Sequence, residues 1–257
     1  MKKFLVSVLA IAAIVGCKKT VIEQGSGKEF GYVDFSLTAN TEMTVTTKAP
    51  TELSGDELAS FNVTLYQDGN SLWTKEYSQV PEKWYLPAGT YDIFVENLTD
   101  DEAAPEGEKG CVRVAAMAEN VLVETGKTTP IEVNCTPVNS RVTIAYDQSF
   151  LQVFEGSQVI ITDGSRQFEM ADGHDQENGV YYPGGTELTW KLTTTLSGES
   201  SAKTYTSGVT PIITTPGAWT QITFSTSTTD GRINISITVD EEFSDVVSED
   251  VNINPFA

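Results

Sequence analysis

The sequence predicts an all-β protein, two tandem β-sandwiches of the immunoglobulin-like kind behind a lipoprotein signal and a polar tether. Three observations carry that reading. Apolar and polar residues alternate in short runs, the period of a half-buried strand. Turn residues separate these runs at sandwich spacing, while helical apolar periodicity is scarce. Landmarks of the first half also recur in the same order in the second, as in an internal repeat. The expected division is residues 1–16 as signal, 17–29 as tether, 30–147 as the first sandwich and 148–257 as the second.

Met1-Lys2-Lys3 supplies a short positive start, and residues 4–15 are apolar except for Ser7. That run is shorter than the ~20 residues a membrane-spanning helix needs. It has the proportions of a secretory signal. Ile14-Val15-Gly16-Cys17 then has the form of a lipobox, so Cys17 is the expected lipidation site and the first residue of the mature chain. A thioether-linked lipid on Cys17 positions that residue for cleavage just before it. Several acyl chains on one cysteine hold a protein firmly, where one chain holds it marginally. A membrane is therefore the expected partner of the N-terminus. Residues 17–29 are polar and Gly-containing, the composition of a flexible tether.

In the first half, Val33, Phe35 and Leu37 share one face of a strand. The polar segment Ala39 to Ser60 follows, too long for a tight hairpin and containing Lys48-Ala49-Pro50. Phe61, Val63 and Leu65 begin a hairpin whose turn is Asp68-Gly69-Asn70, residues that accept positive φ. Leu72 to Tyr77 returns. Trp84 to Thr90 leads into Tyr91, Ile93 and Val95. Val121 to Val123, a turn at 124–127, and Ile131, Val133 and Cys135 come next. Val142, Ile144 and Tyr146 are read as the last strand of this half, with the boundary near Asp147 to Gly156.

The second half repeats the plan. Val159, Ile161 and Asp163-Gly164 match Val63, Leu65 and Asp68-Gly69. Pro183-Gly184-Gly185-Thr186 matches Pro87-Ala88-Gly89-Thr90, again before a strand, here Leu188, Trp190 and Leu192. Ile222, Phe224 and Arg232-Ile233-Asn234-Ile235 match Ile131, Val133 and Arg141-Val142-Thr143-Ile144. The alternation after the Pro-x-Gly-Thr turn is shifted by one residue between the halves.

The formal charge is −20, from 16 basic and 36 acidic residues. Lys2 and Lys3 leave with the signal, so 14 basic residues face the 36 acidic ones in the mature chain. Phosphate backbones repel such a protein, which excludes nucleic acid as a partner. Cys111 and Cys135 fall in strand-like contexts, where a free thiol packs as a small apolar group. An oxidising envelope would also permit a Cys111–Cys135 bridge, which spacing alone does not establish.

His174 is the only histidine, too few for a His-based zinc site, and it is read as a solvated loop residue. No Gly-x-Ser-x-Gly elbow or phosphate-binding Gly loop accompanies it. Asp100-Asp101-Glu102 and Asp240-Glu241-Glu242 lack the alternating carboxylates of a calcium loop and are read as solvated charge. No catalytic residue, metal or cofactor is expected. Trp73, Trp84, Tyr85, Tyr181, Tyr182 and Trp219 are read mainly as core, with a sugar-stacking platform as the alternative.

Several segments together carry a family resemblance: the lipobox, Thr46-Thr47-Lys48-Ala49, Phe61-Asn62-Val63-Thr64-Leu65 and Leu86-Pro87-Ala88-Gly89-Thr90-Tyr91. Val133-Asn134-Cys135-Thr136-Pro137-Val138-Asn139-Ser140-Arg141-Val142-Thr143 completes the set. The chain resembles a Bacteroides-type outer-membrane lipoprotein family built on a domain of unknown function, itself similar to fimbrillins. The resemblance implies tandem transthyretin-like sandwiches, an outer-membrane location with the cell surface favoured, and a structural or adhesive role. Surface-exported lipoproteins of such bacteria resemble one another in an acidic cluster after the lipidated cysteine, where this chain has Lys18-Lys19. Other pilus or surface proteins are the implied partners. Polymerising fimbrillins lose a first strand by cleavage after Arg; the corresponding processing site here is Lys48, which favours an anchor or tip. Glycan binding for polysaccharide uptake is the alternative function.

Overall fold

A computed structural model describes residues 29–43, 52–170, 179–208, 211–229, 232–241 and 244–252. Among the described residues the fold is all-β apart from three one-turn α-helices and a 3-10 turn at Tyr77–Gln79. Alternation builds each strand, as in β1 (Phe30–Ala39), where Val33, Phe35, Leu37 and Ala39 point inward. The first part continues with α1 (Gly55–Leu58), β2 (Asn62–Gln67), β3 (Asn70–Glu76), β4 (Lys83–Pro87), β5 (Gly89–Glu96), α2 (Asp100–Ala103), β6 (Val114–Val123) and β7 (Thr128–Pro137). The hydrogen-bonded order is β3-β2-β5-β6-β7-β1-β4. β6 and β7 pair only at Val114–Pro137 and Ala115–Thr136, so the path turns a corner there. The layers β3-β2-β5-β6 and β7-β1-β4 enclose one core, with Val63, Leu65, Ile93 and Val95 facing Val33, Phe35, Trp84 and Val133. At the β2–β3 turn, Asp68 and Gly69 both take positive φ, as the sequence predicts for a two-residue hairpin.

The second part comprises β8 (Asn139–Tyr146), α3 (Gln148–Leu151), β9 (Phe154–Thr162), β10 (Gln167–Met170), β11 (Val180–Pro183), β12 (Glu187–Leu196) and β13 (Ala202–Thr206). β14 (Ile212–Ile213), β15 (Trp219–Thr229), β16 (Arg232–Glu241) and β17 (Ser244–Asn252) follow. The sheets β11-β8-β15-β16-β17 and β10-β9-β12-β13 close over a second core built from Ile144, Tyr182 and Phe224 on one side and Ile161, Leu188 and Trp190 on the other.

The pairing pattern is duplicated. β1 pairs antiparallel with β4 and parallel with β7, and β8 pairs antiparallel with β11 and parallel with β15. The hairpins β2–β3 and β9–β10 likewise lie beside β5 and β12. This pattern corrects the placement of Val142, Ile144 and Tyr146. They belong to β8, which opens the second set of sheets rather than closing the first. A division at 147/148 would cut β8 from its partners β11 and β15. Alternation could not show this, because period-2 patterning identifies a strand but not its neighbour. The segment 147–156 is half exposed, but it is tied to the second core: Phe150 and Phe154 are buried there, and Asp147 caps α3 by accepting from the Phe150 N–H at 2.9 Å.

Candidate functional site

The first strand and its outer face form the most distinctive surface of the protein. β1 is held by no hairpin: both neighbours, β4 and β7, are distant in sequence. Its inward residues Val33, Phe35 and Leu37 are 0%, 4% and 6% exposed, and the Phe35 ring lies 5.0 Å from that of Trp84. At the start of the strand, the Ala88 N–H donates to Glu29 O, the Gly126 N–H to Phe30 O, and the Tyr32 N–H to Lys127 O. A Cβ at Gly31 would collide with the Glu124 carbonyl, so this close approach requires glycine.

Large rings stand on the opposite face of β1. Phe30 stacks on Tyr85 of β4 at 4.6 Å between centroids and 9° between planes. Tyr32 lies 5.3 Å from Tyr85 at 49°. Tyr32 and Tyr85 are 42% and 44% exposed. Alternation placed Tyr32 on the solvent side, but attention to the apolar face passed over it. Two aromatics at i and i+2 on the polar face of a strand were the available signal.

A second group lies where the two cores meet. Arg113 donates to Leu98 O, Asp100 Oδ1 and Glu96 Oε2 at 2.8, 2.9 and 2.7 Å. The Val138 N–H donates to the Arg113 carbonyl, and the Arg113 N–H donates to Asn139 Oδ1. Across the junction, Arg166 donates to Ala104 O at 3.0 Å, and the Tyr181 N–H donates to Lys109 O at 2.8 Å. These contacts join residues far apart in sequence, which no short motif announces.

The remaining expected sites have more limited roles. Cys17, Lys48 and His174 lie outside the described residues. Cys111 and Cys135 are free thiols, not bonded to each other; Cys111 is exposed, whereas Cys135 is buried and donates to Val95 O at 3.7 Å. Burial pushes the Cys135 thiol up to about 12. Asp100-Asp101-Glu102 forms the first turn of α2, where Thr99 and Glu102 make a reciprocal capping box. Among the described residues no group of three or more His, Cys, Asp or Glu is arranged to hold a metal. No helix among them is long and apolar enough to cross a membrane. Trp84 and Tyr182 are buried, and Trp219 donates to Thr143 Oγ1 at 2.8 Å while the Arg141 guanidinium lies over its ring. An open hollow of about 420 Å³ on the second sandwich is lined by Ile160, Thr162, Gln167, Lys191, Thr206 and Ser207 among others.

A family model described as a domain of unknown function, DUF4493, matches residues 29–255. The chain belongs to that family. No curated protein matches it. Among solved structures, it is similar to a fimbrial assembly protein from Parabacteroides distasonis, at 12% identity and a TM-score of 0.48, covering 86% of this chain and 99% of that one. It is also similar to the fimbrial anchor protein Mfa2 from Porphyromonas gingivalis, at 15% identity and a TM-score of 0.40, covering 83% and 98%.

Proposed function

We propose that this DUF4493 protein is an envelope-anchored structural protein with an adhesive role, an anchor or tip whose first strand stays in place. The observation that carries the reading is the position of β1 between β7 and β4. Cys17 would hold the chain to the outer membrane, so a pull on the rest of the protein enters the fold through Glu29 and β1. β7 runs parallel to β1 and passes the chain on to β8 and the second core. Tension between the anchored end and the second core therefore slides β1 lengthwise against β7. The ladder hydrogen bonds then share the load, whereas a hairpin pulled from its open end yields them one at a time. Two sandwich domains divided near Val138, joined by the Arg113 and Arg166 contacts, fit the same reading. Glycan binding is less well supported, because Trp84 and Tyr182 are committed to the cores.

Cell fractionation of a Cys17→Ala variant tests the anchor: the protein should leave the membrane fraction, and its retention there would overturn the assignment. Trypsin cleavage after Lys48 would cut the chain between β1 and β2. The freed strand should stay bound until denaturant is added. Release in buffer, or end-to-end assembly of a chain beginning at Ala49, would instead point to a polymerising subunit.

A further inference from the structure

We infer that Phe30, Tyr32 and Tyr85 form a docking face for the headgroup layer of the bilayer to which Cys17 is attached. The inference rests on the anchoring reading and adds an orientation to it. Residues 17–29, however arranged, span at most about 45 Å. The chain that leaves the lipid therefore enters the fold beside the aromatic face, which begins at Phe30. A short tether also keeps the local concentration of that surface on the order of millimolar, so a contact far too weak for a free protein is populated.

The chemistry of the face selects the occupant. Aromatic rings with polar tips, tyrosine above all, settle at the boundary between headgroups and acyl chains. The neighbouring charges come mainly in opposed pairs: Asp34 faces Lys83 in register, and Lys127 pairs with Glu124 at 2.9 Å. The Glu29 carboxylate accepts from the Thr125 hydroxyl at 2.8 Å. On a chain of formal charge −20, the two opposed pairs limit the repulsion from a lipid surface, with Glu29 and the exposed Glu132 opposite Ser36 left as a small negative excess. A sugar ring would need an open aromatic face. Here Phe30 covers one face of Tyr85 and Tyr32 leans against its ring, so the rings are stacked on one another rather than held open for a sugar.

The mature chain from Lys18, carrying a hexahistidine tag in place of the lipidated cysteine, is held on phosphatidylcholine–phosphatidylethanolamine vesicles containing a nickel-chelating lipid. The readout is an environment-sensitive dye on Thr128→Cys, an exposed neutral site opposite Tyr32, in a Cys111→Ser background, compared with the same dye on Glu169→Cys, an exposed site on β10. Tethering should shift the emission at 128 to the blue, leave it unchanged at 169, and lose the shift in the Tyr32→Ser, Tyr85→Ser double variant. Thermal unfolding of that variant checks that the fold survives. Equal responses at both positions, or none from protein that sediments with the vesicles, would overturn the docking face. A shift produced by soluble polysaccharide instead of lipid would also overturn it and assign the rings to a glycan. None of these failures touches the lipid anchor, because the tag replaces it.

Discussion

Asn139 and Cys111 join the two cores: the Asn139 side-chain amide donates to the Cys111 carbonyl at 2.8 Å, while its oxygen accepts from the Arg113 N–H at 3.0 Å. Asn139 is buried, and its own carbonyl accepts from the Gly217 N–H at 2.9 Å. Truncating it orphans a donor and an acceptor on the α2–β6 connection. Asn139→Ala should cost about 1–3 kcal/mol in urea denaturation. Asn139→Asp sets a buried carboxylate oxygen against the Cys111 carbonyl and should cost at least as much at neutral pH; wild-type stability in Asn139→Ala would show that the junction is not held by this amide.

Limited proteolysis should spare residues 147–156. Phe150 fills the second core beside Phe154 and Phe224, with ring centroids 4.9 and 6.1 Å away. Phe150→Ala should destabilise the fold by about 3–5 kcal/mol and expose this segment to protease. Prompt cleavage of the native chain there would contradict the packing of α3.

The thiols should titrate in two steps. In the mature chain from Lys18, a maleimide should modify Cys111 in the native state and Cys135 only after denaturation. Partial desolvation raises the exposed Cys111 thiol and full burial raises Cys135 far more, so native labelling should rise with pH through reaction at Cys111. Absence of any native thiol, restored by reductant, would reveal a bridge.

Acid should selectively remove the contribution of Asp163. Burial alone would raise its carboxyl, but hydrogen bonds from Arg166 and Ser165 outweigh that and hold it below the ordinary carboxylate range. Its lowered folded value means that the stabilisation is present above the unfolded value of about 3.9 and is lost as pH falls through the lower folded value. Asp163→Asn should therefore lower the melting temperature at neutral pH, with the gap narrowing below about pH 4. A gap independent of pH would place the effect in packing rather than charge.

The strands were legible because alternation is a local property: Val33, Phe35 and Leu37 announce a buried face whatever lies across from it. The Asp68-Gly69 hairpin and the second Pro-x-Gly-Thr turn, whose Gly185 takes φ 82°, were equally local, since they depend on backbone conformations that few residues adopt; Gly89 of the first lies in β5 without positive φ. Pairing is not local. Whether β8 joined the strands before it or after it depended on contacts with β11 and β15, some 40 to 80 residues downstream in pairs such as Val142–Val180 and Ile144–Ile222. The same reason hid the stack of Phe30 on Tyr85 and the Arg166 contact with Ala104. Sequence by itself determined the strand content, the acidic charge and most of the repeated plan, although it matched β8 to β16 where β8 takes the place of β1; tertiary structure decided which strand belongs to which core and which rings meet on the surface, because those depend on long-range registers that period-2 patterning leaves open.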